Sequence, residues 1–185
     1  HVSYQRRPVV STDDVAACAL VQVGSGANLY GYYMYHGGTN PGRGLQETQA
    51  SGYPNDVAEL GYDFRAPQGQ YGQLRASYGR LRTLHSFMAA FGAELALMPA
   101  SVGPATDPED LAHLRVAART SDDSGFLFVN NHCRHHPLPA FEDVQLRLEW
   151  PNDRTQAVPA GRVRVPSGSY FIWPLNQRMG TAGGD

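Results

Sequence analysis

Apolar positions along this chain recur at two different periods, and the change from one to the other divides it. Between Ser11 and Val23 the spacing is helical, with Val15, Ala19 and Gln22 on one side and Ala16, Leu20 and Val23 on another. Ser11 and Asp14 form a Ser-x-x-Asp start signal that approximates a capping box, Asp13 adds negative charge to the first turn, and Gly24 and Gly26 stop the run. A second helix is predicted over 73–91: Leu74, Tyr78, Leu81, His85, Met88 and Phe91 fall at intervals of three and four as a buried stripe. Arg75, Arg80 and Arg82 take the flank or solvent side, and Gly92 ends the helix. His85 on that stripe reads as a hydrogen-bonded core histidine. Proline, glycine and acidic residues then mark a linker over 98–108. Beyond it the period falls to two. Residues 114–118, 125–131, 144–150, 162–166 and 169–173 read as strands, with the cleanest alternation at Val144, Leu146, Leu148 and Trp150. Short strands separated by Pro, Gly, Asn and Asp predict an antiparallel module, a small sandwich or partial barrel.

Two aromatic elements lie between the helices. Leu29 to Tyr35 is short, aromatic and flanked by glycine, and is predicted as a buried or half-buried strand. It runs into His36-Gly37-Gly38-Thr39-Asn40-Pro41-Gly42, a turn whose glycines let the backbone reverse closely while His36, Thr39 and Asn40 supply polar groups. The second element is Gly61-Tyr62-Asp63-Phe64-Arg65-Ala66-Pro67. Residues 41–61 between them have no useful period and read as a long loop, in which Gln46 and Glu47 are solvated or face a ligand. Two accounts of the aromatic elements stand side by side. In one they edge a pocket. In the other Tyr62 and Phe64 share one strand-like face in a core, and Asp63 points out to bond backbone or Arg65.

Composition narrows the class. The chain has 185 residues, 42% hydrophobic and 17% charged, with 20 Gly and 13 Pro, a globular and turn-rich balance. A net charge of −2 argues against nucleic-acid binding. All 15 basic residues are arginine, so no lysine can serve as nucleophile or Schiff base. Cys18 and Cys133 are isolated, allow a disulfide without requiring one, and make no metal motif. His132, Cys133, His135 and His136 match no strong zinc spacing and are read, with Asn130 and Asn131, as strand-end and turn residues. No metal and no cofactor is expected. No run reaches the roughly 20 apolar residues of a spanning helix, so a soluble chain is expected, with the cytoplasm preferred over secretion and export left open.

His36-Gly37-Gly38-Thr39-Asn40 followed by Tyr62-Asp63-Phe64-Arg65-Ala66-Pro67 resembles the C-terminal end of the catalytic barrel in glycoside hydrolase family 35, the retaining β-galactosidases. The likeness reaches back to Tyr4-Gln5-Arg6-Arg7-Pro8, forward to Leu97, and more weakly to Val165-Pro166-Ser167-Gly168 and Trp173-Pro174. It implies an α/β then all-β chain: the last helices and last strand of a (β/α)8 TIM barrel over 1–97, the linker, and a small antiparallel β domain over 109–185. A whole barrel needs about 250 residues, and the chain opens on His1, so it is expected to be a piece of a longer hydrolase. The family's two glutamates are expected upstream of it, no catalytic residue is assigned to it, and neither Glu47 nor Glu59 matches their positions. Tyr62 and Asp63 match the family's Tyr-Asp-Tyr-Asp-Ala-Pro pattern, whereas its second tyrosine is Phe64 here and its second aspartate is Arg65. The resemblance implies that Tyr62, Asp63, Phe64, Tyr35, His36 and Asn40 bind sugar. The expected partners are a carbohydrate substrate, the missing N-terminal part of the same barrel and a second copy of the chain, and neither nucleic acid nor membrane. A noncatalytic carbohydrate-binding or structural module is the alternative.

Overall fold

The computed structural model describes residues 9–39, 61–104, 107, 109–151 and 153–177, with the backbone alone at Tyr62. These fall into two compact units, one within His1–Val15 and Gly31–Thr83 and the other within Ala16–Tyr30 and Leu84–Asp185.

Helix α1 spans Thr12–Gly24. Its start is the reciprocal box that the sequence predicts: the Asp14 amide donates to Ser11 Oγ at 3.0 Å and the Ser11 amide to Asp14 Oδ2 at 3.0 Å. Its end is a Schellman pair, with Ala27 N donating to Gln22 O and Gly26 N to Val23 O. Gly26 takes the left-handed φ of 111° that this motif needs. Gly24 is glycine for another reason. A β-carbon there would stand 2.6 Å from Phe128 Cγ.

Helix α2 runs over Ala76–Leu95. Gly92 does not end it. The chain continues for three more residues because Leu95 and Met98 are buried and draw the last turn inward, where it tightens through Leu97 N to Glu94 O and Met98 N to Leu95 O. Leu74, expected on the buried stripe, precedes the helix and is 61% exposed.

The rest of the second unit is antiparallel. Strands β3 (Ala100–Val102), β4 (Arg115–Thr120), β5 (Gly125–Asn130) and β8 (Tyr170–Leu175) form one sheet in the order β3-β4-β5-β8, and β6 (Phe141–Glu149) pairs with β7 (Thr155–Val165). Ala100–Val102, inside the expected linker, is thus a strand. β5 explains the layering. Its alternate residues Phe126 and Phe128 enter a core with Leu20, Val23, Leu95 and Met98 of the helical segments, while Leu127 and Val129 enter another with Trp150, Val158 and Val165 of the β6–β7 segment. A strand covered on both faces has no use for polar positions, which is why Phe126-Leu127-Phe128-Val129 is uninterrupted. β6 is covered on one face only, and there Val144, Leu146, Leu148 and Trp150 alternate inward as predicted. Between β5 and β6, Asn131 is fully buried and its side-chain amide donates to the Pro139 and Pro166 carbonyls at 2.9 Å each. The histidine-rich loop that follows is tethered by packing of His132 against Tyr170, ring centres 6.1 Å apart.

Arg119 is the buried polar residue that the second unit is built around, only 2% exposed. On β4 it lies opposite Phe126 and so faces the helix side of the sheet. Its guanidinium donates to the carbonyls of Val23 in the last turn of α1 and Ala27 just beyond it, to those of Leu95 and Met98 at and after the end of α2, and to Asn28 Oδ1, at 2.7 to 3.4 Å. Carbonyls left over at helix C-termini attract a cation, and one planar fork meets both sets.

The first unit is less regular. The expected strand Leu29–Tyr35 is absent: the segment is irregular, and β1 is only Gly38–Thr39, paired with β2, Gly61–Tyr62. Leu29 is 92% exposed and Tyr33 85%, so the aromatic run is not held between layers as a buried strand would be. Most of the expected loop over 41–61, including Gln46, Glu47 and Glu59, lies outside the described residues, as do Tyr4 to Pro8.

Candidate functional site

The two aromatic elements are brought together backbone to backbone. Gly38 pairs with Tyr62 and Thr39 with Gly61, Gly37 N donates to Gln68 O at 2.8 Å, and Gln68 N donates to Tyr35 O at 3.0 Å. Gly37 makes this approach possible. A β-carbon there would stand 2.7 Å from both the Asp63 Cβ and the Gln70 amide nitrogen, so no larger residue fits.

Asp63 is the electrostatic centre. Its carboxylate accepts from the Arg65 amide at 2.8 Å, the Gln70 amide at 3.4 Å and Arg75 Nη2 at 2.7 Å. The Arg75 hydrogen bond holds the carboxyl below the usual carboxylate range, against the opposing effect of partial burial and with the help of the Arg65 and Gln70 amides. Asp63 is therefore ionised and acceptor-only at neutral pH. Arg75 also donates through Nη1 to Ala66 O at 2.6 Å, and its amide to Pro67 O at 2.9 Å.

Phe64 and Arg65 sit at φ 45° and 57°, and Ala66 N closes the turn onto Asp63 O at 2.7 Å. Two successive left-handed residues suit Asn and Gly; for other L-residues each costs about 1–2 kcal/mol. This backbone also excludes the strand-like face on which Tyr62 and Phe64 would alternate. Phe64 is half-buried and its ring lies 6.0 Å from that of the exposed Tyr33. Tyr35 packs with Tyr32 at 5.3 Å and with Tyr78 at 6.1 Å, and burial, then Tyr78, pushes its hydroxyl above the ordinary value. His36 is exposed, bridges to Gln68, and its Nδ1 meets the Gly37 carbonyl.

Of the six residues expected to bind sugar, Tyr35, His36, Asp63 and Phe64 thus lie on two segments joined by β1, β2 and Gln68. Tyr62 shares them through its backbone, and Asn40 lies outside the described residues. Arg75, expected on the solvent flank, belongs here instead. The sequence pattern places it inside a helix over 73–91, whereas it directly precedes α2 and pairs with the Asp63 carboxylate. Tyr33 and Gln70, whose side-chain amide donates to Thr39 Oγ1, also join the cluster and were not singled out by the sequence.

The second unit carries a pocket of 340 Å³ lined by Leu20, Val21, Val102, Val116 and Phe128 among others. Tyr35, His36, Asp63 and Phe64 do not line it, and its walls are mainly apolar, which suits a sugar's many hydroxyls poorly.

Comparison with known proteins finds similarity to two β-galactosidases. An 81-residue stretch is 40% identical to Beta-galactosidase 10 of Arabidopsis thaliana, covering 43% of the chain and 10% of that protein. An 82-residue stretch is 37% identical to Beta-galactosidase 12 of Oryza sativa subsp. japonica, covering 44% of the chain and 8% of that protein. These matches support a relationship to β-galactosidases. No family model matches the chain. The matched segments span about a tenth of those relatives, and among the described residues no helix is long and apolar enough to cross a membrane.

Proposed function

We propose that the chain is part of a retaining glycoside hydrolase of family 35 that acts on terminal β-D-galactosides, and that it supplies one wall of the sugar site. The division into a barrel end over 1–97, a connection over 98–108 and a β domain over 109–185 belongs to the same proposal. The observation that carries it is the pairing of the two motif segments: residues 36–39 and 61–64, 25 positions or more apart for most pairs, meet around an ionised aspartate beside aromatic rings. The relationship to β-galactosidases supports a galactoside as the substrate class.

In this reading Phe64 and Tyr33 offer aromatic faces to a pyranose ring. Phe64 can give no hydrogen bond, and the polar contacts fall to Tyr62, Tyr35, His36 and Asn40. Asp63 is committed to Arg75 and to backbone amides, so it orients the wall rather than transferring protons. A retaining mechanism needs two carboxyl groups about 5 Å apart, and these come from elsewhere in the parent. Residues 1–185 alone are accordingly expected to hydrolyse no aryl β-galactoside.

The test is kinetics of the parent protein beside its thermal unfolding. Phe64→Ala should raise KM by removing a contact worth about 0.5–1.5 kcal/mol beyond its buried area, with folding retained, and Phe64→Tyr should be tolerated. A parent with no galactosidase activity, or unchanged kinetics in a folded Phe64→Ala protein, rejects the assignment.

A further inference from the structure

We infer that Arg75 is a positioning residue: by clamping Asp63 and Ala66 it holds the left-handed turn at Phe64 and Arg65, and so sets how the Phe64 ring is presented to substrate. This deepens the sugar-wall reading and rests on it for the word substrate. The clamp itself rests on geometry. A turn whose two central residues are both at positive φ is ordinarily built from Asn and Gly, and here it is built from a bulky aromatic and an arginine. Such backbone persists only where its surroundings over-determine it.

The surroundings supply that constraint from one direction. Arg75 Nη2 binds the side chain of Asp63, the residue before the strained pair, at 2.7 Å, and Nη1 binds the carbonyl of Ala66, the residue after it, at 2.6 Å. One rigid fork spans both ends of the turn. The other Asp63 oxygen takes the Arg65 amide at 2.8 Å, which orients the peptide between Phe64 and Arg65 from inside the turn. Gly37, packed on Asp63 Cβ, closes the remaining side. Nothing in this arrangement requires Arg75 to touch sugar. Its effect on binding passes through the Phe64 backbone.

Two arms test this. In the isotopically labelled 185-residue chain, the backbone shifts of Phe64 and Arg65 report the left-handed turn directly. Arg75→Met should abolish that signature, Arg75→Lys should retain part of it because a point charge keeps one contact but loses the fork, and Arg75→Met with Arg65→Gly should regain it, since glycine adopts the turn without strain. An unchanged signature in Arg75→Met overturns the clamp whatever the chain's function. In the parent hydrolase, Arg75→Met should lower kcat/KM for an aryl β-galactoside by about twofold to tenfold, no more than loss of the Phe64 ring contact through which it acts. Adding Arg65→Gly should recover most of it. Loss without recovery, while the turn signature is restored, means that Arg75 acts by its charge and overturns the positioning role. An inactive wild-type parent overturns the sugar-site reading and the role in substrate presentation with it, and the first arm then decides the clamp alone.

Discussion

Two arginines, one in each unit, do similar geometry to different ends. Arg119 is fully buried and donates to backbone carbonyls and one asparagine at the ends of two helices. Arg75 is 29% exposed in its side chain and binds one carboxylate and one carbonyl across a strained turn. The first unites elements that would also be held by apolar packing, since Leu20, Val23, Leu95, Met98, Phe126 and Phe128 form a core around the same helix ends. The second holds a segment with little apolar burial of its own. Burial and partner type therefore separate an arginine that secures a fold from one that shapes a surface, although the side chain is the same.

The largest effect should come from Arg119. Arg119→Met keeps the side-chain volume but leaves the Met98 carbonyl buried without its donor and strips a second donor from the carbonyls of Val23 and Leu95, which keep only the Gly26 and Met98 amides. The unsatisfied carbonyl costs about 1–3 kcal/mol and the other lost bonds to the guanidinium add to it, so a loss of about 3 kcal/mol is expected in chemical denaturation of the 185-residue chain. A loss below about 1 kcal/mol would mean that water reaches those carbonyls, and the contrast with Arg75 would collapse. Next is Gly24→Ala in the same unit. Its β-carbon would overlap Phe128, and an overpacked core gives up about 1–3 kcal/mol. A neutral result would show that the sheet yields at Phe128.

How well the sequence could be read follows the same line between the units. Where burial is two-sided or cleanly one-sided, pattern and structure coincide: the Ser11 and Asp14 box, the Gly26 stop, the unbroken β5 and the alternating β6 were all legible, because each is fixed by local chemistry or by periodic burial. The end of α2 was not, since Gly92 stops a helix only if it turns left-handed, and Leu95 and Met98 gain more by continuing inward. Arg119 lies one residue past the predicted strand 114–118 and was not singled out, because its partners, two helix ends, are far away in sequence. The segment from Leu29 to Tyr35 is rich in aromatics yet its backbone is irregular, so composition suggested a strand where none forms. The meeting of the two motifs was suspected from their succession. The Asp63–Arg75 clamp was not, because a turn at positive φ is invisible when Phe and Arg occupy it.

The pH dependence sharpens the contrast from the side of the first unit. Because the Arg75 hydrogen bond depresses the Asp63 pKa in the folded state, its contribution is fully present above the unfolded carboxyl value, near pH 4, and is lost as the pH falls through the lower folded value. Asp63 is partly exposed, so about 1 kcal/mol is expected, below the usual worth of a bond to a charged group. The difference in stability between wild type and Asp63→Asn should therefore be largest at neutral pH and shrink toward pH 2. A difference that stays constant across that range would mean that the carboxylate charge is not what the clamp uses.

The smallest effect should fall on a third arginine, Arg80, one turn into α2. It lies 3.5 Å from Asp13 near the start of α1, within the same unit as Arg75, but its side chain is 63% exposed and that of Asp13 is 45% exposed. Water and salt screen such a pair, and holding two flexible side chains together costs entropy, so exposed pairs contribute about 0–1 kcal/mol. Arg80→Ala should shift stability by about 0.5 kcal/mol at most, and the shift should vanish in molar salt. Asp13 also sits in the first turn of α1, where its charge is favourable without any partner, so it loses little when Arg80 is removed. The three arginines would then rank by burial, 119 above 75 above 80. If Arg80→Ala proved as damaging as Arg75→Met, solvent exposure would not be what sets their worth, and the distinction between the two units would have to rest on partner chemistry alone.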